Sequence, residues 1–263
     1  MRLWPGEAPG LNPAWRETGW VPTITPYLRR TKGPRGMVIV FPGGGYGMRA
    51  EHERVVVAEY FQETGFSSAV LDYRVQHEKH TQPLGKGPIW DAQRAIRLVR
   101  LHAREWGVRG DRIAILGFSA GGHLAAMAGT HSDPGDKKNA DPVERVSSRP
   151  DAVVMCYGAT VRHELMTKNI FGEGALPEDY DYYLAEKSVT PGCPPTFLWH
   201  TATDNAAPMS ESLVMAEALQ KNGVSVELHV FPTGRHGMGL AQDDPQVVQW
   251  TMLCVKWLTL QGF

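Results

Sequence analysis

Short apolar runs alternate along the chain with longer segments whose apolar residues recur at helical spacing. Most of the runs are rich in β-branched and aliphatic residues without polar alternation, which predicts strands buried on both faces. They lie at 37–41, 68–73, 113–118, 152–156, 196–200 and 225–231, with a further short antiparallel strand expected at 21–27. Segments 91–105, 208–222 and 245–260 have apolar residues every three or four positions, which predicts amphipathic helices.

The alternation of strands and helices indicates the α/β class, with a mostly parallel central sheet and helices on both faces. We expect residues 1–263 to form one domain. Arg94, Arg97, Arg100 and Arg104 are expected on the polar face of the helix at 91–105. The stretch 157–195 is rich in glycine and proline and breaks the alternation. We predict that it leaves the sheet as a short lid over the strand ends.

Composition and charge exclude several classes of protein. With 42% hydrophobic and 21% charged residues, the chain is not intrinsically disordered. Its 27 basic and 28 acidic residues give a net charge of −1, which argues against nucleic-acid and anionic membrane partners. The three cysteines, Cys156, Cys193 and Cys254, lack CxxC spacing, and no apolar leader or run of 18 apolar residues is visible. We expect a cytoplasmic protein with reduced thiols.

The strongest local signal is Gly117-Phe-Ser119-Ala-Gly121, which follows a predicted strand and precedes a helix-compatible segment. A sharp turn from strand to helix forces a serine into strained dihedral angles and requires neighbours without side chains. The helix that follows supplies oriented N–H groups near the hydroxyl. Ser119 is therefore the candidate nucleophile, and a glycine-rich turn without chemistry is the alternative.

A serine nucleophile requires a base and a group that orients the base. Asp204 follows the strand at 196–200, and His236 follows the strand at 225–231. Both lie in loops after the carboxyl ends of predicted parallel strands, where open α/β sheets bind their ligands. We predict that Ser119, Asp204 and His236 form a catalytic triad, although an aspartate in a loop is also a common helix cap.

The other histidines are weaker candidates. His229 lies within a strand, and His123 follows the nucleophile by one helical turn, so we expect a packing role for His123. His163 lies in the expected lid. A metal site at His77 and His80 is poorly supported because no third ligand is near. Solvent exposure is expected at His52, His77, His80, His102 and His131.

The glycine run at 43–45 directly follows the predicted strand at 37–41. Acyl transfer creates an oxyanion that requires preorganised N–H donors, and glycines allow the backbone to approach the substrate closely. We predict the N–H groups of Gly44, Gly45 and Ala120 as the donors. A phosphate-binding loop is the alternative, but no Lys-Ser/Thr follows the glycines.

These motifs together resemble the α/β-hydrolase superfamily, and within it the small bacterial acetyl xylan esterase and carboxylesterase-like enzymes. The resemblance implies the α/β-hydrolase fold and a serine esterase that removes short acyl groups, including acetyl esters of sugars, without a cofactor or metal. In this chain, Pro42 replaces the histidine of the family's glycine motif, and Ala207 replaces a valine. The matching stretches are 4–10, 42–46, 71–74, 91–100, 117–123, 189–191, 195–200 and 227–239.

The short lid and the aromatic residues near it predict the size of the substrate. The expected lid is short, and five side chains are predicted to wall a site for a small ester: Tyr46, Trp90, Tyr157, Phe171 and Met238. A feruloyl or other aromatic esterase, an amidase or peptidase, and a non-catalytic binding protein remain as alternatives. The tryptophans at positions 4, 15 and 20 either form a surface for a homo-oligomer or pack on the sheet.

Overall fold

Runs of mostly β-branched and aliphatic residues form a seven-stranded sheet in the order β1-β3-β2-β4-β5-β6-β7. The computed structural model describes residues 1–11, 20–30, 33–76, 83–159, 164–172 and 176–263. β1 is antiparallel to β3, and all other neighbouring strands are parallel, which confirms the predicted sheet. The strands are β1 Thr23–Tyr27, β2 Arg35–Phe41, β3 Ser67–Asp72, β4 Val108–Phe118, β5 Ala152–Cys156, β6 Thr196–Thr201 and β7 Val226–Phe231.

Helices connect these strands and cover both faces of the sheet. Within the described ranges they are α1 Val55–Glu63, α2 Gly87–Trp106, α3 Ala120–Thr130, α4 Glu164–Phe171, α5 Pro177–Tyr180, α6 Ser210–Lys221 and α7 Gln249–Leu260. The pattern did not predict α1, because its first three residues are valines, which favour strands. None of these helices has the length and apolar character needed to cross a lipid bilayer.

Two apolar layers lie on the two faces of the sheet. Along β2, Met37, Ile39 and Phe41 belong to one layer, and Val38 and Val40 belong to the other, as the two-residue period of a strand requires. The first layer packs against α2, α3 and α6, and the second packs against α1 and α7. The strands are therefore held from both sides, and their carboxyl ends form a rigid platform.

The arginine-bearing face of α2 is largely covered by another segment of the chain, and of its four arginines only Arg104 is exposed. Arg94 is 2% exposed and Arg97 is 6% exposed, because the segment between α3 and β5 covers them. Arg94 donates to Glu144 at 2.7 Å, Arg97 pairs with Asp133, and Arg100 donates to Asp151 at 2.9 Å. Sequence spacing identifies a polar face but not the chain segment that folds over it.

Two of the tryptophans near the start of the chain pack against the sheet domain. The indole N–H of Trp4 donates to Asp91 at 2.8 Å, and the guanidinium of Arg94 lies over its ring. The guanidinium of Arg49 lies 4.8 Å from the ring centre of Trp20. Trp15 lies outside the described residues. These contacts support the packing alternative for Trp4 and Trp20.

Candidate active site

Ser119 occupies the turn between β4 and α3. Its φ of 51° and ψ of −117° lie outside the conformations that L-residues prefer, at a cost of about 1–3 kcal/mol. The neighbouring glycines are required sterically. A Cβ at Gly117 would lie 1.9 Å from the carbonyl oxygen of Gly121, and a Cβ at Gly121 would lie 2.1 Å from that of Phe41. The turn therefore projects the hydroxyl beyond the end of the sheet.

His236 and Asp204 meet Ser119 at this edge. Nε2 of His236 lies 2.7 Å from Oγ of Ser119, and its Nδ1 lies 2.7 Å from Oδ2 of Asp204. The two loops are also joined directly, since the hydroxyls of Thr201 and Thr203 each donate to the carbonyl of Gly234 at 3.0 Å. The three side chains that the sequence singled out thus form one continuous hydrogen-bonded chain.

Asp204 is held in its ionised form. Its side chain is fully buried, which acts to raise its pKa, but hydrogen bonds from His200, His236 and the Ala207 N–H outweigh burial and hold the pKa well below its usual range. Oδ1 accepts the N–H groups of Ala206 and Ala207, each at 2.9 Å. A buried carboxylate in this position orients the imidazole and stabilises its protonated form.

His200 is a second imidazole beside Asp204 that the sequence argument missed. It is fully buried on β6, with Nε2 2.8 Å from the carbonyl of Ala207 and 3.5 Å from Oδ2 of Asp204. Its Nδ1 lies 2.8 Å from Oγ of Ser212. The ring therefore fixes the loop that presents Asp204. In the sequence, His200 is only the last residue of an apolar run, so no sequence pattern predicts its contact with the Asp204 loop.

The glycine loop after β2 lies next to the nucleophile because β2 and β4 are neighbours in the sheet. The direction of winding also changes between these two strands, and α/β folds place ligands at such a point. Gly44 and Gly45 have φ values of 121° and 60° and line the same cavity as Ser119. Ala120 begins α3, so its N–H has no partner within the helix. The three predicted donors therefore lie around Ser119.

A cavity of about 600 Å³ opens beside Ser119 and His236. Its polar side chains, apart from those two, include His52 and Glu53. The apolar part of its wall consists of Met48, Ala50, Ala159, Leu165, Met166, Ala206 and Ala207. A wall of this kind suits an acyl chain or another apolar group better than a strongly charged substrate.

Tyr46, predicted as a wall of the site, is instead buried behind the glycine loop, with 1% of its surface exposed. Its hydroxyl lies 2.8 Å from Nδ1 of His123, and Nε2 of His123 lies 2.8 Å from the carbonyl of Tyr183. Because a carbonyl only accepts, Nε2 carries the hydrogen and Nδ1 accepts from Tyr46. Burial lowers the pKa of His123 to about 4, which keeps the ring neutral. His123 thus has the packing role expected for it.

The other four predicted wall residues also lie outside the cavity lining. Trp90 packs on Gly10, and the Phe171 ring packs at an angle against Tyr180 and edge-to-face against Tyr183. Met238 is buried in the second apolar layer. Tyr157 is buried with its ring 5.1 Å from that of His236, so it supports the site from behind. Tyr46, Tyr157 and Met238 are thus buried and Trp90 and Phe171 are partly buried against other segments, so that other side chains form the wall.

The other described histidines lie away from the contacts that link Ser119, His236 and Asp204. His229 bonds Glu227 on β7 at 2.8 Å and has no contact with Ser119. His52 is more than half exposed but lines the cavity and lies 2.9 Å from the carbonyl of Gly237. His131 is not freely solvated, because its ring packs on Tyr182. His77, His80 and His163 lie outside the described residues, and the described part of the chain contains no metal-ligating cluster.

The sheet order, the strained serine between a strand and a helix, and the acid and base after later strands define an α/β-hydrolase. The chain belongs to the BD-FAE family, whose model matches residues 27–219. It is also similar to a solved acetyl ester-xyloside bifunctional hydrolase from Caldicellulosiruptor lactoaceticus. The two share 45% identity and a TM-score of 0.93 over 100% of this chain and 96% of the other.

Two curated relatives show similarity over most of this chain. Endo-1,4-beta-xylanase B of Butyrivibrio fibrisolvens is 32% identical over 230 residues, which cover 86% of this chain and 36% of the relative. An acetylxylan esterase of Xylanibacter ruminicola is 28% identical over 219 residues, which cover 79% and 42% respectively. The chain spans less than half the length of either relative.

Proposed function

We propose that this protein is a serine carboxylesterase that removes short acyl groups, with acetyl esters of carbohydrates as its substrates. The observation that carries the proposal is the pair of 2.7 Å contacts that link Ser119, His236 and Asp204. The acetylxylan esterase and the acetyl ester-xyloside hydrolase among the similar proteins support the choice of acyl group and alcohol.

In the proposed mechanism, Oγ of Ser119 attacks the ester carbonyl while Nε2 of His236 accepts its proton. Asp204 orients His236 and stabilises the imidazolium, and the N–H groups of Gly44, Gly45 and Ala120 hold the oxyanion. His236 then protonates the leaving alcohol. Water activated by the same imidazole hydrolyses the acyl-enzyme and restores Ser119.

The segment 157–195 is proposed as a partial lid on a single catalytic domain that spans residues 1–263. Ala159, Leu165 and Met166 from this segment form part of the cavity wall. The side-chain amide of Asn169 donates to the carbonyl of Gly45 at 2.8 Å, so α4 is tied to the glycine loop. These contacts support a wall fixed against the site rather than a freely moving flap.

The proposal is tested with Ser119→Ala, using Ser132→Ala as the control, in assays with p-nitrophenyl acetate and a fluorophosphonate probe. We expect that Ser119→Ala is no longer labelled by the probe and that its turnover falls at least 1,000-fold. A loss of this order is typical when a member of a catalytic triad is removed. The control should keep both. Unchanged turnover in Ser119→Ala would end the serine-nucleophile mechanism.

A substrate panel tests the choice of ester. It contains acetylated xylose and xylan fragments, p-nitrophenyl esters of increasing chain length, methyl ferulate and p-nitroacetanilide. We expect acetylated sugars and the shortest esters to be preferred. A preference for methyl ferulate or for the anilide would instead identify an aromatic esterase or an amidase, and an optimum at eight carbons or more would contradict the short-chain proposal.

We place this activity in the cytoplasm, where thiols stay reduced, because Cys156, Cys193 and Cys254 are all free and buried. Cell fractionation tests the compartment. A homo-oligomer remains a prediction, tested by light scattering of the purified protein.

A further inference from the structure

Glu53 is a buried carboxylate at the candidate active site with no part in the mechanism above. It ends a single helical turn, Glu51–Glu53, is 2% exposed and lines the cavity beside Ser119. A Cβ at Gly43 would lie 2.7 Å from Oε2 of Glu53 and 3.0 Å from Cβ of Ser119. The carboxylate and the nucleophile thus lie against the same glycine.

Both oxygens of Glu53 accept hydrogen bonds. The N–H of Gly43 donates to Oε2 at 2.8 Å, and the hydroxyl of Tyr157 lies 2.6 Å from Oε1. The N–H of Gly239 donates to the Tyr157 oxygen at 2.8 Å, so the hydroxyl hydrogen of Tyr157 is directed to Glu53. Two donors facing two oxygens fit the ionised carboxylate.

These bonds join two loops that the chemistry must keep in place. Gly43 precedes the predicted oxyanion donors, and Gly239 lies three residues after His236. Tyr157 connects them, and its ring packs on His236 with an interplanar angle of 68°. Its φ of 38° is costly for a residue with a side chain, and such strain persists where surrounding contacts enforce it.

We infer that Glu53 is a positioning residue that holds the glycine loop and the His236 loop in register with Ser119 through Gly43 and Tyr157. This inference rests on the proposed esterase function. It differs from a purely structural role because its effect falls on the transition state. Donors aimed at the oxyanion act on the reacting complex and not on substrate affinity.

The substitution Glu53→Gln keeps the shape but not the hydrogen-bond pattern. The amide has one acceptor oxygen and an NH₂ group that only donates, so its NH₂ group must face either the N–H of Gly43 or the hydroxyl of Tyr157. Tyr157→Phe removes the second of these donors. In the double variant, the glutamine carbonyl is free to accept from Gly43 while its NH₂ group faces a ring without a hydroxyl. Because both substitutions break the same link, the loss in the double variant should be smaller than the product of the two single losses, although Tyr157→Phe also removes the acceptor of the Gly239 N–H.

The experiment measures kcat and KM for p-nitrophenyl acetate, and the affinity for a trifluoromethyl ketone whose serine adduct carries an oxyanion. The variants are Glu53→Gln, Tyr157→Phe and the double variant. The matched control is Asp151→Asn, because Asp151 also accepts a backbone N–H, that of Ile113, and a side-chain donor, Arg100. Circular dichroism and thermal melting report folding.

We expect Glu53→Gln to lower kcat about tenfold or more, with KM changed less than about threefold, since complete loss of one oxyanion donor costs about 100-fold or more. Affinity for the ketone should fall together with kcat. The double variant should lose less than the product of the two single losses. Asp151→Asn should melt at a lower temperature but keep kcat and ketone affinity.

Three results would overturn the inference: a folded Glu53→Gln enzyme with wild-type kcat, an effect confined to KM, or single losses that simply multiply in the double variant. If Glu53→Gln does not fold, Tyr157→Phe decides, and unchanged kcat in that variant rejects the positioning role. A wild-type protein that neither cleaves the ester nor reacts with a fluorophosphonate refutes the proposed function itself, which separates the two failures.

Discussion

The neutral imidazole buried at position 123 predicts a specific loss of stability in acid. Burial lowers the pKa of His123 from 6.5 to about 4, and the ring is fixed between the Tyr46 hydroxyl and the Tyr183 carbonyl. Between pH 6.5 and 4, the unfolded chain binds a proton at this residue that the folded chain does not. The stabilisation of the folded state by the neutral His123 ring is therefore complete above pH 6.5, and it is lost progressively as the pH falls toward 4.

The size of this loss follows from the two pKa values. One pKa unit corresponds to about 1.4 kcal/mol, so the difference between 6.5 and about 4 corresponds to roughly 3 kcal/mol. His123 is 2% exposed, so solvent does not screen the effect strongly. Because a folded domain is stable by only about 5–15 kcal/mol, a loss of this size is readily measured.

The assay is urea unfolding followed by tryptophan fluorescence at several pH values between 7 and 4. The variant His123→Gln has no titrating group at this position. Between pH 7 and 4, we expect the free energy of unfolding of the variant to decrease by roughly 3 kcal/mol less than that of the wild type. The control is His102→Gln, which removes a partly exposed imidazole on α2. Equal pH dependence in wild type and His123→Gln would refute the reasoning.

Three further predictions concern sterics, specificity and stability. Gly121→Ala would place a Cβ 2.1 Å from a β2 carbonyl oxygen, so we expect little folded protein on gel filtration, whereas Gly192→Ala, with 3.7 Å of space, should fold normally. Leu165→Ala removes part of the cavity wall and should raise relative kcat/KM for butyryl and longer p-nitrophenyl esters; an unchanged chain-length profile would exclude Leu165 from substrate contact. Asp91→Asn breaks a buried 2.6 Å pair with Arg74 and should cost about 3–5 kcal/mol of unfolding free energy while the folded enzyme keeps its kcat. A loss below 1 kcal/mol in urea titrations would contradict the last prediction.

The sequence predicted correctly those features that depend on residues close together along the chain, and it failed for those that depend on contacts between distant segments. The turn at Ser119 was predictable because its requirements are local: a strand, a helix and two glycines that keep carbonyl oxygens at a tolerable distance. The parallel sheet was predictable for a similar reason, since runs buried on both faces carry their own signal. Asp204 and His236 could be proposed because each follows a strand whose carboxyl end must lie at the same edge.

The composition of the cavity wall, the covering of the α2 arginines and the position of Glu53 were decided by tertiary structure. Glu51 and Glu53 look alike in the sequence, yet Glu53 is buried and accepts a hydrogen bond from Tyr157, 104 residues away. Short-range spacing determines which face of an element a side chain occupies. Which distant segment reaches that face depends on the packing of the whole chain, because burial and hydrogen-bond satisfaction are settled between segments far apart in the sequence.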